Sequence, residues 1–300
     1  MQTIKYCPAA IFVALFLGAV SPVQGSERIS IAAGEHHEGS LQTRNSSINV
    51  DDGARIDGDI QSRNGRLSIG NDVTANDLST RNGGVNTGQG GQFNQISTRN
   101  GSIDIGNNTH AGEIRTRNGS ISIGADSVID GKVRTRNGGI KLGSNTRVSQ
   151  DVRTRNGGIN LQAGVEVAGD VQTRNGEINL EQAHIGRDLQ GRGGDLNVRN
   201  GSHVGGNVVI EITEASAGRS GGFFGLGSSR TYPEAGDIRI TDGSTVAGDI
   251  IVSLPADYDE ALPTVEIDSG SHVHGNLHID ERANLIVDGQ VDGRIERTSP

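Results

Sequence analysis

A repeat of 18 or 19 residues constrains the fold of this chain more than any other sequence feature. The most regular unit, residues 112–124, reads Gly-Glu-Ile-Arg-Thr-Arg-Asn-Gly-Ser-Ile-Ser-Ile-Gly. A period of this length without helical spacing predicts the stacked coils of a β-solenoid, because a propeller blade needs about twice as many residues. The Arg-Asn pairs that mark the repeat start at Arg44, Arg63, Arg81, Arg99, Arg117, Arg136, Arg155 and Arg174.

Alternation within the unit predicts which side chains face the core. Successive side chains of a strand point to opposite sides, with a period of two residues. If Ile114 points inward, Thr116 and Asn118 also point inward, whereas Arg115 and Arg117 point outward. Only 3% of the residues are aromatic, so Ile, Val and Leu must fill the core. The Asn-Gly pair suits the following bend, because both residues tolerate a positive φ.

The repeated asparagines are predicted to form an internal ladder. A buried amide needs a hydrogen-bond partner, and its copy in the next rung lies about 4.8 Å away. The threonines two residues earlier should form a similar but weaker ladder. The predicted asparagine ladder consists of Asn45, Asn64, Asn82, Asn100, Asn118, Asn137, Asn156 and Asn175.

We therefore predict an all-β fold, a single-stranded parallel β-helix of about 13 rungs that spans residues 26–297. Rungs with the Arg-Asn-Gly signature occupy residues 30–193, and divergent rungs occupy residues 194–297. Two insertions in the divergent part, residues 214–235 and 255–263, are predicted to leave the stack as loops at rung corners.

The first 25 residues are predicted to be a signal peptide. Lys5 supplies a positive charge, residues 9–20 form a short apolar run, and small residues precede Ser26. An uncleaved N-terminal anchor is the alternative. Cys7 is the single cysteine, so the mature chain has no thiol and no disulfide. We expect a protein exported to the periplasm or the cell surface, with no transmembrane span in the mature chain.

Two resemblances to known families rest on these repeats. Residues 165–171, 244–250 and 287–295 resemble the Val-x-Gly-Asp-Ile coils of bactofilins, which are polymer-forming bacterial β-helix proteins. Thr-Arg-Asn-Gly-Gly-Ile at residues 135–140 is similar to the exported bacterial adhesin-type β-strand repeats. The bactofilin resemblance implies a right-handed helix and end-to-end self-assembly. Because bactofilins are typically cytoplasmic, the export signal favours the adhesin-like group.

The outward arginines are the candidate ligand-binding residues. Residues 110–175 contain 10 Lys and Arg against 6 Asp and Glu, which predicts a positive ribbon for an anionic glycan or lipopolysaccharide. Nucleic acid is disfavoured by the net charge of −9 and by the lack of aromatic residues between the arginines. The predicted anion-binding residues are Arg115, Arg117, Arg134, Arg136, Arg153 and Arg155.

The alternative for these arginines is a surface network of ion pairs that neutralises the ribbon. It depends on acidic residues four positions before the Arg-Asn arginines, which lie on the same predicted face. These acidic residues are Asp59, Asp77, Glu113, Asp151, Asp170 and Asp188.

The histidines do not predict a metal site. His272 and His274 lie on one strand face and His278 follows, but no cysteine supports them and a carboxylate would have to complete the site. His110, His184, His203 and His272 share one repeat position, which favours an exposed corner column. We therefore expect no metal ion and no cofactor.

Two further features bear on function. Phe223, Phe224 and Leu226 have no place in the periodic core, so they either fold back on the solenoid or contact a partner or a membrane. Carboxylates recur at the repeat period instead of clustering, although Asp257 and Asp259 crowd one loop. These features favour a non-catalytic structural or adhesin-like protein of the bacterial envelope, with a polysaccharide-active β-helix lyase or hydrolase as the alternative.

Overall fold

The computed structural model describes residues 28–213, 218–220 and 229–299. These residues form a β-solenoid of about 13 turns with no helix, which confirms the predicted fold class. The predicted signal peptide, residues 1–25, lies outside the described residues. In the part of the chain that is described, no helical segment is long and apolar enough to span a lipid bilayer.

Each turn contributes to three parallel sheets, here named faces 1, 2 and 3 in chain order. Face 1 is a sheet of 13 strands, in which every rung pairs with the next one along the chain. Its strands are Ile29–Ile31, Ile48–Val50, Leu67–Ile69, Val85–Thr87, Ile103–Ile105, Ile121–Ile123, Ile140–Leu142, Ile159–Leu161, Ile178–Glu181, Leu196–Arg199, Ile238–Ile240, Thr264–Ile267 and Asn284–Val287.

Faces 2 and 3 are made of shorter strands, and two longer strands, Gln92–Thr98 and His110–Arg115, run through both. The other strands of face 2 are His36–His37, Arg55–Ile56, Val128–Ile129, Arg147–Val148, Glu166–Val167, His184–Ile185, His203–Val204, Thr245–Val246, His272–Val273 and Gln290–Val291. The other strands of face 3 are Leu41–Thr43, Ile60–Ser62, Asp77–Thr80, Val133–Arg134, Val152–Arg153, Val171–Gln172, Leu189–Gly191, Val208–Glu211, Ile250–Ser253, Leu277–Asp280 and Ile295–Thr298.

The core consists of aliphatic side chains that stack on their own copies. Ile121 pairs with Ile140, and Ile140 pairs with Ile159, and each of the three is at most 1% exposed. Ile114 and Val133 form an equivalent buried pair on face 3. Burying one such side chain contributes about 2 kcal/mol, so the hydrophobic column is the main stabilising term of each rung.

The asparagines form a ladder, but the prediction that they point inward is wrong. Nδ2 of Asn118 donates to Oδ1 of Asn100 at 2.7 Å, and Nδ2 of Asn137 donates to Oδ1 of Asn118 at 2.7 Å. All of these side chains are exposed. Strand alternation ends at Thr116, because the chain turns the corner between faces 3 and 1 there. Arg117 and Asn118 therefore both point to solvent.

The threonines before the corner bond differently from the expected Thr–Thr ladder. The Thr116 hydroxyl donates to the Gly101 carbonyl oxygen at 2.9 Å, and the Thr135 hydroxyl donates to that of Gly119 at 2.8 Å. Each buried hydroxyl thus ties one rung to the corner glycine of the rung before it. Gly119 has a φ of 155°, and an added Cβ would lie 2.1 Å from the Gly101 oxygen, so the corner requires glycine.

The divergent rungs return to register after each insertion. Leu196 pairs with Ile238, and Ile238 pairs with Val265. The loop at residues 255–263 is packed, because Tyr258 is 7% exposed and its hydroxyl accepts a 2.7 Å hydrogen bond from the Ala235 amide. Phe223, Phe224 and Leu226 of the other insertion lie outside the described residues.

Replacing a core residue and a ladder residue of the same rung tests this assignment of faces. Ile121→Ala leaves a cavity in the buried column and is expected to cost about 2–5 kcal/mol of unfolding free energy. Asn118→Ala removes exposed amide hydrogen bonds and is expected to cost about 1 kcal/mol. Urea denaturation followed by circular dichroism measures both, and equal losses contradict the exposed position of the ladder.

Candidate anion-binding surface

Two columns of arginine side chains run along the stack. The corner arginines, which precede the ladder asparagines, are all exposed. They are Arg44, Arg63, Arg81, Arg99, Arg117, Arg136, Arg155 and Arg174. The face 3 arginines, Arg115, Arg134 and Arg153, pair with one another in register and point outward between buried residues. Parallel stacking thus places identical positive charges above one another at about 4.8 Å.

The two columns differ in their ion pairs. Arg134 Nε lies 3.0 Å from a Glu113 carboxylate oxygen, and Arg153 lies 2.8 Å from Asp170 and 3.3 Å from Asp151. Within the described ranges, the eight corner arginines form no ion pair with any acidic side chain. The expected neutralisation of the corner arginines is therefore wrong, because the acidic residues pair with face 3 instead.

The same acidic residues also hold the corner between faces 2 and 3. Oδ1 of Asp151 accepts the Asp170 amide at 3.2 Å, and Oδ1 of Asp188 accepts the Asn207 amide at 2.8 Å. Burial opposes ionisation of Asp151, but the Lys132 ammonium and the Asp170 amide outweigh it and lower the pKa of the carboxyl group. Each carboxylate thus has a structural role that keeps it away from the corner arginines.

A groove of about 680 Å³ lies between the two arginine columns. Its floor is open because the face 3 position holds the short side chain of Ser97 in the rung before Arg115. Six of the lining residues are arginines and none is acidic. The lining residues are Thr80, Arg81, Ser97, Thr98, Arg99, Arg115, Thr116, Arg117, Arg134, Thr135 and Arg136.

A second, shallower groove of about 490 Å³ lies on the other side of the corner arginines. It combines guanidinium groups with the exposed amides of the ladder, which are neutral donors and acceptors. Its lining residues are Arg117, Asn118, Arg136, Asn137, Arg155, Asn156 and Asn175. Arg117 and Arg136 therefore contact both grooves.

The structure changes the membership of the predicted anion site. It brings together Arg115, Arg117, Arg134 and Arg136 in the first groove, whereas Arg155 lines the second groove and Arg153 is held by two carboxylates. Sequence reasoning missed Arg81 and Arg99. Both belong to the same Arg-Asn column, so the signal was the serine that replaces arginine on face 3 beside them, at Ser79 and Ser97.

A row of unpaired guanidinium groups has a clear chemical consequence. Like charges stacked at the strand spacing repel one another, and this repulsion falls when an anion lies between them. Each guanidinium presents a planar set of donors that matches a carboxylate, sulfate or phosphate group. The surface is thus built to bind several anionic groups in line along the stack.

The other predicted functional residues lie elsewhere. Asp257 Oδ1 accepts a 2.6 Å hydrogen bond from the Tyr232 hydroxyl, and the Tyr232 ring packs 5.9 Å from that of Tyr258. This contact uses Asp257 to join the two insertions. No known protein family, curated protein or solved structure matches this chain, so the functional argument depends on the geometry of the surface.

Removing one paired and one unpaired arginine tests the difference between the two columns. Arg155→Gln is expected to change the unfolding free energy by less than about 0.5 kcal/mol, because this exposed side chain has no acidic partner. Arg153→Gln leaves Asp151 and Asp170, whose side chains are only 13% and 16% exposed, facing each other. It is expected to cost about 1 kcal/mol in urea denaturation. Equal effects of the two changes contradict the assigned ion pairs.

Proposed function

We propose that this chain is a non-catalytic, exported structural or adhesin-like solenoid that binds anionic polymers of the bacterial envelope. The observation that supports the proposal is the column of eight exposed corner arginines without acidic partners, beside a groove lined by six arginines. Export to the periplasm or cell surface is proposed from the signal-peptide features of residues 1–25.

An extended polymer fits the arginine column better than a small anion does. The corner arginines recur at about 4.8 Å along a straight axis, so consecutive anionic groups of one chain can contact consecutive rungs. Each contact is weak in water, but linked contacts act together and raise the overall affinity. We propose an acidic glycan or lipopolysaccharide as the ligand.

Two other ligand or activity classes fit this surface less well. Neither groove is lined by an aromatic residue on which a nucleobase could stack, so we do not propose a nucleic acid. Neither groove is lined by Asp or Glu, whereas hydrolysis of a glycosidic bond needs a pair of carboxyl groups. The geometry therefore favours binding over the alternative of a polysaccharide-active enzyme.

Changing the groove arginines tests the proposed ligand. The quadruple variant Arg115→Gln, Arg117→Gln, Arg134→Gln, Arg136→Gln is expected to weaken binding to an acidic polysaccharide at least ~10-fold, or about 1.4 kcal/mol. The physical reason is the loss of four charge-assisted contacts, so the difference should shrink as salt rises. Retention on immobilised polygalacturonate and on lipopolysaccharide, measured over a salt gradient, reports the effect.

A charge-matched control separates the groove from overall charge. Arg28, Arg66, Lys141 and Arg294 are exposed, lie outside both grooves and form no ion pair in the described chain. Their change to Gln alters net charge equally and is expected to leave retention unchanged. The proposal fails if both quadruple variants behave alike, or if the groove variant keeps full retention.

End-to-end assembly with a second copy of this chain is a second proposed function, which the last described rung favours. Ile286 and Ile295 are 47% and 49% exposed there, and the strands that carry them have a neighbouring strand on one side only. Unpaired strand edges at the end of a stack attract another rung. The first described rung, with Ile29 and Ile31 at its core, offers the complementary end.

Charged substitutions at that rung test the assembly. Ile286→Lys with Ile295→Lys is expected to convert polymers into monomers, because a lysine pair has to lose its hydration at the new interface. Val128→Lys with Leu262→Lys is the control, since these residues are similarly exposed, at 40% and 42%, but lie in other rungs. Light scattering and electron microscopy measure length. A wild-type protein that stays monomeric at high concentration refutes the proposal.

A further inference from the structure

Two histidines and an aspartate meet on face 2, between the last two described rungs. His272 and His274 flank the buried Val273, so both side chains point outward on the same side of the strand. Val273 pairs with Val291 of the next rung, which places Asp292 beside His274. The backbone amide of Asp292 donates to the Val273 carbonyl oxygen at 3.0 Å and holds this register.

The three side chains converge on one point. His272 Nε2 and His274 Nδ1 each lie 2.9 Å from the same atom, Asp292 Oδ2. All three ligand atoms lie within 4.8 Å of one another. A tetrahedral metal ion with bonds of about 2.0–2.1 Å needs ligand atoms about 3.3 Å apart. Small side-chain rotations therefore open the space that an ion requires.

The hydrogen bonds around the cluster are incomplete in a way that fits a metal ion. Nε2 of His272 is a buried atom without a directed hydrogen bond, although Asp292 Oδ2 is at contact distance, so this contact is poorly aligned. Gln290 Nε2 donates to the other carboxylate oxygen, Oδ1, at 2.8 Å. A hydrogen bond of this kind orients a ligating carboxylate in metal sites.

Comparison with the other histidines shows what is special about this cluster. His110 contacts Asp130 at 2.7 Å, and His36 contacts Asp57 at 2.7 Å, which are simple pairs of one histidine and one carboxylate. Among the residues that the structure describes, His272, His274 and Asp292 form the one group with three ligand atoms in reach of a single ion.

We propose that His272, His274 and Asp292 bind one divalent transition-metal ion of the Zn²⁺ type, which fastens the last described rung to the rung before it. Two imidazole nitrogens and one carboxylate oxygen suit Zn²⁺, Cu²⁺ and Ni²⁺, whereas Mg²⁺ and Ca²⁺ prefer oxygen ligands only. Water completes the coordination sphere. The expectation of no metal site missed Asp292, because this carboxylate comes 18 residues after His274 and only the stacking brings the two together.

Isothermal titration of the untagged mature protein with Zn²⁺ tests the site. Binding of one ion per chain is expected, with affinity at least ~10-fold weaker after His274→Ala or Asp292→Asn. His110→Ala is the matched control, since it removes a histidine of a simple pair and is expected to leave the titration unchanged. An equal concentration of Ca²⁺ is expected not to compete.

Thermal unfolding supplies a second measurement that does not depend on calorimetric stoichiometry. An ion that binds only the folded chain raises the melting temperature as its concentration rises. The increase with Zn²⁺ is expected in the wild type and in His110→Ala, and not in His274→Ala. Circular dichroism shows whether each variant keeps the fold. Zn²⁺ binding or stabilisation that persists unchanged in folded His274→Ala and Asp292→Asn proteins overturns the proposal.

Discussion

In-register parallel pairing of each rung with its neighbour is the interaction on which the rest of this structure depends. Because the repeat is 18 or 19 residues and each rung closes in three faces, every side chain in the regular part lies above its own copy. Ile121 contacts Ile140 in the core, and Asn118 donates to Asn100 at the corner. Stacking of like on like is favourable for apolar groups and for amides, which can donate and accept at once.

The same rule is unfavourable for charges, and the chain meets this problem in two ways. On face 3, acidic and basic residues alternate in neighbouring positions, so Arg153 lies between Asp151 and Asp170. At the corner no acidic residue comes close, and the arginines from Arg44 to Arg174 keep their repulsion. A stack whose stability comes from its core can tolerate this cost, which leaves the corner available for a ligand.

The fold could be predicted from the sequence because the repeat is an observation about every rung at once. The inward direction of the asparagines could not, because strand alternation holds along a strand and stops at the bend after Thr116. Arg81 and Arg99 were missed for another reason: a groove depends on which neighbouring side chains are short, here Ser79 and Ser97. Contacts between rungs, such as His274 with Asp292, also need the exact register, which insertions hide in the divergent part.

Charge is distributed unevenly along the stack, and this distribution bears on the proposed ligand. Residues 30–193 carry 18 basic and 18 acidic side chains, whereas residues 194–300 carry 7 basic and 17 acidic side chains. The net charge of −9 therefore belongs to the divergent rungs and does not repel a polyanion from the corner arginines, which lie more than a Debye length from most of that charge. The lack of aromatic side chains in the grooves is thus the stronger argument against nucleic acid. An anionic polymer on the arginine column would leave the acidic half of the solenoid directed away from it, and head-to-tail stacking would place that acidic end against the neutral half of the next copy.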